Sequence, residues 1–136
     1  MPKSSDLGTA YAVAVLIITP EGIPLIRDPK KPPPIFWKAP GGRSVPGESA
    51  KAAAAREARE EIGVELSEKD LSPAHEENRG SHVLALFIST LKSLSGLKSR
   101  GDEGEEIKVF SPKQILVMPD FFPNHRKVFE KILKDL

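Results

Sequence analysis

Glu57, Glu60 and Glu61 stand at i, i+3 and i+4 in the run Arg56-Glu57-Ala58-Arg59-Glu60-Glu61. At helical spacing three such residues fall within about one 100° sector, because a helix turns about 100° per residue. Three carboxylates on one face repel one another, by a few tenths of a kcal/mol per like-charged pair on an exposed helix. A cation relieves that repulsion. It could be a hard metal ion, which carboxylate oxygens suit, or the guanidinium groups of Arg56 and Arg59 on a solvated helix face.

A helix is what the surrounding residues specify. Ser49 is a good N-cap, Ala50 to Ala55 form an alanine-rich run, and Gly63 is placed for a left-handed C-cap. The expectation is a helix over Ser49–Ile62, with Ala55, Ala58 and Ile62 on an apolar back. Ala53 and Ala54, small residues beneath the acidic front, would leave room there for a bulky ligand.

Tyr11 to Thr19 is apolar and β-branched and closes at Pro20-Glu21-Gly22, which reads as a buried strand, with Ile23 to Arg27 as its hairpin partner. The apolar run Ala10 to Ile18 follows Lys3 as a signal-peptide core would. Asp6 spoils the basic leader and no small-residue cleavage site follows, so a strand is expected. Pro29 to Pro34 carries four prolines and two lysines, which favours a stiff, extended polyproline loop. His82 to Leu91 and Ile107 to Phe110 read as further strands, with a polar loop over Leu97 to Glu106. Ser111-Pro112 opens a short helix. After Pro123, the stripe Val128, Phe129, Ile132, Leu133 and Leu136 predicts an amphipathic helix packed on the core. Strands and helices interleave, so the expected class is α/β, a mixed sheet between helices.

The 136 residues suit a single domain, 1–136. Twenty Lys and Arg against nineteen Asp and Glu leave no broad basic field, which argues against nucleic acid as a partner. No stretch is long enough to span a bilayer. The absence of cysteine is compatible with a reducing compartment, and the cytoplasm is the expected location. No metal-ligand spacing joins His75, His82 and His125, which disfavours zinc.

The intervals decide the family resemblance. Gly42 is followed after five residues by Glu48, after seven more by Arg56-Glu57, then Ala58, Arg59, Glu60-Glu61, Ile62, Gly63 and Val64. This segment resembles the Nudix box. Seven fixed identities at average frequencies near about 7% coincide by chance on the order of 10⁻⁸ per starting position. Ala58 is smaller than the aliphatic residue usual there. Trp37-Lys38-Ala39-Pro40-Gly41-Gly42 resembles the segment leading into the box, and the order of elements is similar to the family's α/β/α sandwich.

The resemblance implies Mg²⁺, with Mn²⁺ as a substitute, held by Glu57, Glu60 and Glu61 and by the backbone carbonyl of Gly41. It also implies Mg²⁺-dependent hydrolysis of the pyrophosphate linkage in a nucleoside diphosphate joined to another group. Glu57, oriented by Arg56, is the favoured general base. Asp102, Glu103, Glu105 and Glu106 on the later loop offer alternatives, with Glu103 and Glu105 the contenders for base or metal duty. Glu48 and Arg56 read as an ion pair tying the box loop to its helix, with Gly42 and Gly63 as the structural glycines. Lys38, Arg43 and Arg27 are near enough in sequence to reach a phosphate. Trp37 and Phe36 could stack on a base, although a lone Trp beside a strand also suits a core.

Arg79 and Gly80 stand where ADP-ribose hydrolases of this family carry a proline. The only tyrosine, Tyr11, is not where dinucleoside polyphosphate hydrolases show one. Asp120-Phe121-Phe122-Pro123-Asn124 resembles a segment of MutT-like enzymes in which an asparagine reads an oxidised guanine. Asn124 offers the donor and acceptor for that, and also suits a helix cap. The leading expectation is a nucleoside triphosphate pyrophosphohydrolase acting on a small-molecule nucleotide. ADP-ribose, dinucleoside polyphosphates, RNA 5′ ends and a nucleotide-sensing module without turnover are the alternatives. Monomer and homodimer are both compatible.

Overall fold

The computed structural model describes residues 8–136; Lys3 and Asp6, which frame the leader question, lie outside them. Within these residues the elements follow in the order β1 (Tyr11–Ile18), β2 (Ile23–Arg27), β3 (Gly41–Arg43), α1 (Ala50–Ile62), β4 (Ser72–Asn78), β5 (Val83–Thr90), β6 (Glu106–Phe110), α2 (Pro112–Val117) and α3 (Pro123–Lys134). Among the described residues no helix is long and apolar enough to cross a membrane.

Strands order as β3-β1-β5-β4 in a four-stranded sheet, and β2 pairs with β6 in a second, two-stranded one. β1 runs parallel to β5 and antiparallel to β3, so the larger sheet is mixed as expected. The hairpin expected between β1 and β2 does not form. β5 pairs along the whole of one edge of β1 and β3 along the first part of the other, while β2 pairs antiparallel with β6. β1 and β2 are bridged at the turn, where Thr19 pairs with Gly22.

Side chains alternate across β1. Val13, Val15 and Ile17 join a core under α1 with Ala53, Ala54, Ala58 and Ile62, while Ala14 and Leu16 join a second core with Ile115, Phe129 and Leu133 from α2 and α3. The sheet therefore lies between α1 and the α2–α3 pair. Ala53 and Ala54 are fully buried, so these alanines let α1 sit close on the sheet instead of making room for a ligand. Ala55, expected on the apolar back, is only partly buried, and Leu136, expected at the end of the apolar stripe, lies beyond α3 and is exposed.

The caps of α1 are those expected. The Ala52 N–H donates to Ser49 Oγ (3.1 Å), and Gly63 takes the left-handed conformation with φ 78°. α2 opens with a reciprocal box between Ser111 and Gln114. The N-cap of α3 is Phe122, so Asn124 lies inside the first turn and does not cap it. The loop 28–36 turns and bends, with a cis Pro33–Pro34 peptide, where an extended polyproline run was expected.

Candidate active site

The box is assembled where α1 meets β3. Within β1–β3, Val15 N–H donates to the Pro40 carbonyl (3.0 Å) and Ser44 N–H to the Tyr11 carbonyl (2.9 Å). Bonded and non-bonded pairs alternate in such a ladder, and Gly41, opposite Ala14, falls between bonded pairs. Its N–H and carbonyl thus point off the outer edge of the sheet. There the Gly41 N–H donates to Glu61 Oε1 at 2.7 Å. A Cβ on Gly42 would lie 2.7 Å from the Glu57 carboxyl carbon, so the carboxylate packs directly on that glycine.

Arg56 organises the opposite side. Its Nε and Nη2 donate to Glu48 (2.9 and 3.0 Å), its Nη1 to Glu57 (2.9 Å) and Glu60 (3.1 Å), and Nη2 also to the Arg43 carbonyl (3.1 Å). The expected Glu48–Arg56 tie is present, and it holds the Glu48 carboxyl below its usual range. The three glutamates are not one convergent set. The guanidinium draws Glu60 outward to solvent, and among the described residues no three Asp, Glu, His or Cys side chains gather closely enough to hold a metal ion.

Glu57 and Glu61 remain together on the β3 edge. Burial pushes the Glu61 carboxyl up to about 7; the Gly41 N–H and Lys38 pull against this, while Glu57 and Glu105 add to it. Burial also raises Glu57, with Arg56 opposing. This edge carries more negative charge than its fixed cations neutralise, and its donors are all hard oxygens: two carboxylates and the Gly41 carbonyl. That chemistry fits a divalent ion such as Mg²⁺.

Of the loop acids, Glu105 comes within electrostatic reach of Glu61. Glu105 also accepts the Glu103 N–H (2.9 Å). Asp102 pairs with Lys98 (3.0 Å) and Glu106 with Arg27 (2.8 Å), and Glu103 is exposed. Arg27 does not reach toward a phosphate: it is bound to Glu106, lies 3.8 Å from Asp120 and stacks 4.3 Å from the Trp37 ring centre. Trp37 is buried, so it serves the core, not a base.

Behind Gly41 and Gly42, on the α3 side of the sheet, is a cavity of about 230 Å³ lined by Ala12, Ala14, Lys38, Arg43, Phe122 and His125 among others. Lys38 and Arg43 are thus brought to the site. Asn124 is exposed on α3 and does not line this cavity; its neighbour His125 does. Burial pushes the His125 imidazole down to about 4, helped by Lys38 and Arg79, and its Nδ1 is buried with no hydrogen-bond partner among the described residues. A neutral imidazole offers one donor and one acceptor. The sequence signal for the cavity is the alternation Ala12, Ala14 among the larger side chains of β1, two small residues on one face. Nothing local marked His125.

The sequence matches the NUDIX domain family over residues 8–132. The chain belongs to the Nudix family. It is a Nudix hydrolase, of a family that cleaves pyrophosphate bonds. Similar solved structures include the E. coli ORF135 protein (23% identity, TM-score 0.68, covering 98% of this chain and 94% of that one). Another is MutT as solved for Aliivibrio salmonicida and Vibrio cholerae (22%, 0.72, covering 94% and 99%). A third is the MutT protein of Methanosarcina mazei Go1 (21%, 0.71, covering 93% and 94%). No curated protein matches the sequence.

Proposed function

We propose that this Nudix hydrolase acts in the cytoplasm on a small-molecule nucleotide, cleaving its pyrophosphate linkage in an Mg²⁺-dependent reaction, with Mn²⁺ as a substitute. The observation that carries this reading is the placement of Glu57 and Glu61 across the Gly41-Gly42 backbone from a cavity lined by Phe122 and a neutral histidine. A base in that cavity leaves its phosphates beside Lys38 and the glutamates. Nucleoside triphosphates carry both a base for the cavity and a pyrophosphate linkage for the carboxylates, and are the leading candidates.

The residues that would hold the ion are Glu57, Glu61 and the Gly41 carbonyl, with Glu60 available once it leaves Arg56. When bound, Mg²⁺ supplies charge neutralisation on the phosphates and a more acidic water. Lys38 neutralises phosphate charge directly, and Arg43 does so at the rim. Glu57 accepts the proton of the attacking water, its raised proton affinity suiting it as a base and its contact with Arg56 fixing its direction. Glu105, beside Glu61, is the contender for that role, with Glu103 behind it.

Purified protein with Mg²⁺ should release phosphate or pyrophosphate from a panel of nucleotides, and Glu57→Gln or Glu61→Gln should abolish release. Activity that survives both changes would sink the assignment. One observation favours a second reading, a nucleotide sensor: Arg56 already satisfies Glu57 and Glu60. Calorimetric binding with no turnover across the panel would select it.

A further inference from the structure

We propose that Lys98 is a positioning residue of the active site: it joins the last turn of α1 to the loop before β6 and so sets where Glu105 stands relative to Glu61. This rests on the reading of Glu57 and Glu61 as the carboxylates that would hold the ion.

Lys98 grips α1 on either side of Glu61. Its N–H donates to the Ile62 carbonyl (2.8 Å) and its Nζ to the Glu60 carbonyl (2.7 Å). Both carbonyls belong to the end of the helix, where no further turn supplies a donor. The same Nζ donates to Asp102 Oδ1 at 3.0 Å. One ammonium thus ties helix backbone to a side chain of the loop. The two segments come this close because neither Gly63 nor Gly96 has a side chain. A Cβ on Gly63 would lie 2.5 Å from the Gly96 carbonyl oxygen, and one on Gly96 would lie 2.8 Å from that of Gly63.

The loop is bonded across itself, so Glu105 follows Asp102. Gly101 N–H donates to the Glu105 carbonyl and Glu103 N–H to Glu105 Oε1, both at 2.9 Å. A Cβ on Gly101 would collide with that Oε1, which packs on the glycine. On the other flank Lys30 Nζ donates to the Glu103 carbonyl. Glu105 lies within electrostatic reach of Glu61, and two like charges there push the loop away from the helix. Lys98 opposes that push by holding both segments. Held in place, Glu105 adds negative charge to the edge that would hold the ion. A lysine that only capped the helix would need no bond to Asp102.

The test measures Mn²⁺ binding, read by loss of the free-ion EPR signal, beside kcat and KM for a nucleotide the unaltered enzyme cleaves. Lys98→Met keeps the unbranched stem and removes the ammonium. It should weaken Mn²⁺ binding and lower kcat by about tenfold each, with KM within about twofold. Lys98→Arg should regain most of both. Asp102→Asn should show the same losses in smaller measure, and the Asp102 side chain is 79% exposed, so this variant reads the link without disturbing the fold. In a Glu105→Gln background, Lys98→Met should add less than about twofold to either loss, because its effect runs through Glu105. Unchanged Mn²⁺ affinity in both Lys98→Met and Asp102→Asn, or losses that multiply in full in the double variant, overturns the positioning role. Nucleotide turnover in that case leaves the hydrolase reading intact. Mn²⁺ binding that depends on Lys98 through Glu105, in a protein that cleaves no nucleotide, supports the positioning role and defeats the hydrolase reading.

Discussion

Gly41 and Gly42 are neighbours, yet a methyl group added to each meets a different obstacle. At Gly41 it would lie 2.0 Å from the Val13 carbonyl oxygen and 2.8 Å from the Ala14 Cα, backbone that cannot move without parting β3 from β1. At Gly42 it meets only the end of the Glu57 side chain, which can swing. Gly41→Ala should therefore cost about 2–4 kcal/mol in urea unfolding. Gly42→Ala should leave stability within about 1 kcal/mol but lower kcat by on the order of 10²-fold, because it displaces a reacting group. Equal effects on stability would refute this division. At this scale the box residues were legible because their chemistry depends on spacing along one helix. His125 was not, since its role arises from β1, β5 and the Lys38 segment closing around it. Arg27 was misplaced for a related reason: proximity in sequence gave no hint of Glu106 across the β2–β6 pair.

Among the elements, α1 is the one that local signals specify at both ends. Ser49→Ala removes the acceptor for the Ala52 N–H and should cost about 1 kcal/mol, read as a lower urea midpoint with an unchanged slope. A silent substitution would mean that packing of Ala53, Ala54 and Ala58 alone holds the helix start. β4 escaped the sequence reading because Ser72–Asn78 is polar, contains Pro73 and is largely exposed, the character of an edge strand that buries little. β2 was seen as a strand but given the wrong neighbour, since hydrophobic pattern reveals that a segment pairs and leaves its partner undefined.

For the molecule as a whole, Glu61 links the site to stability. Its folded pKa of about 7 lies above the ordinary value of 4.5, so between those values the folded chain keeps a proton that the unfolded chain has lost. The Glu61 contribution to stability is then fully present below about pH 4.5 and is lost as pH rises through 7. With EDTA present, moving from pH 5 to 7.5 should cost the unaltered protein about 2 kcal/mol more than it costs Glu61→Gln. Parallel pH profiles for the two proteins would refute it. Excess Mg²⁺ should narrow the difference at the higher pH, because an ion held by the carboxylate favours its charged form.

The mixed α/β class was legible because the alternation of patterns implies layers, whereas the strand order was set by contacts between distant segments. The pairing of β1 with β5 is one of these. Tyr11 lies opposite Val83, so closing the central pair of the sheet carries the entropy cost of a long intervening loop. α1, by contrast, is built from caps and contacts within a few residues. The helical spacing of the glutamates is therefore set by local contacts, and the backbone and cavity they face by contacts between distant segments. The catalytic machinery is complete only when such long-range pairings are in place, and β2 with β6, where Ile23 lies opposite Phe110, joins segments further apart still.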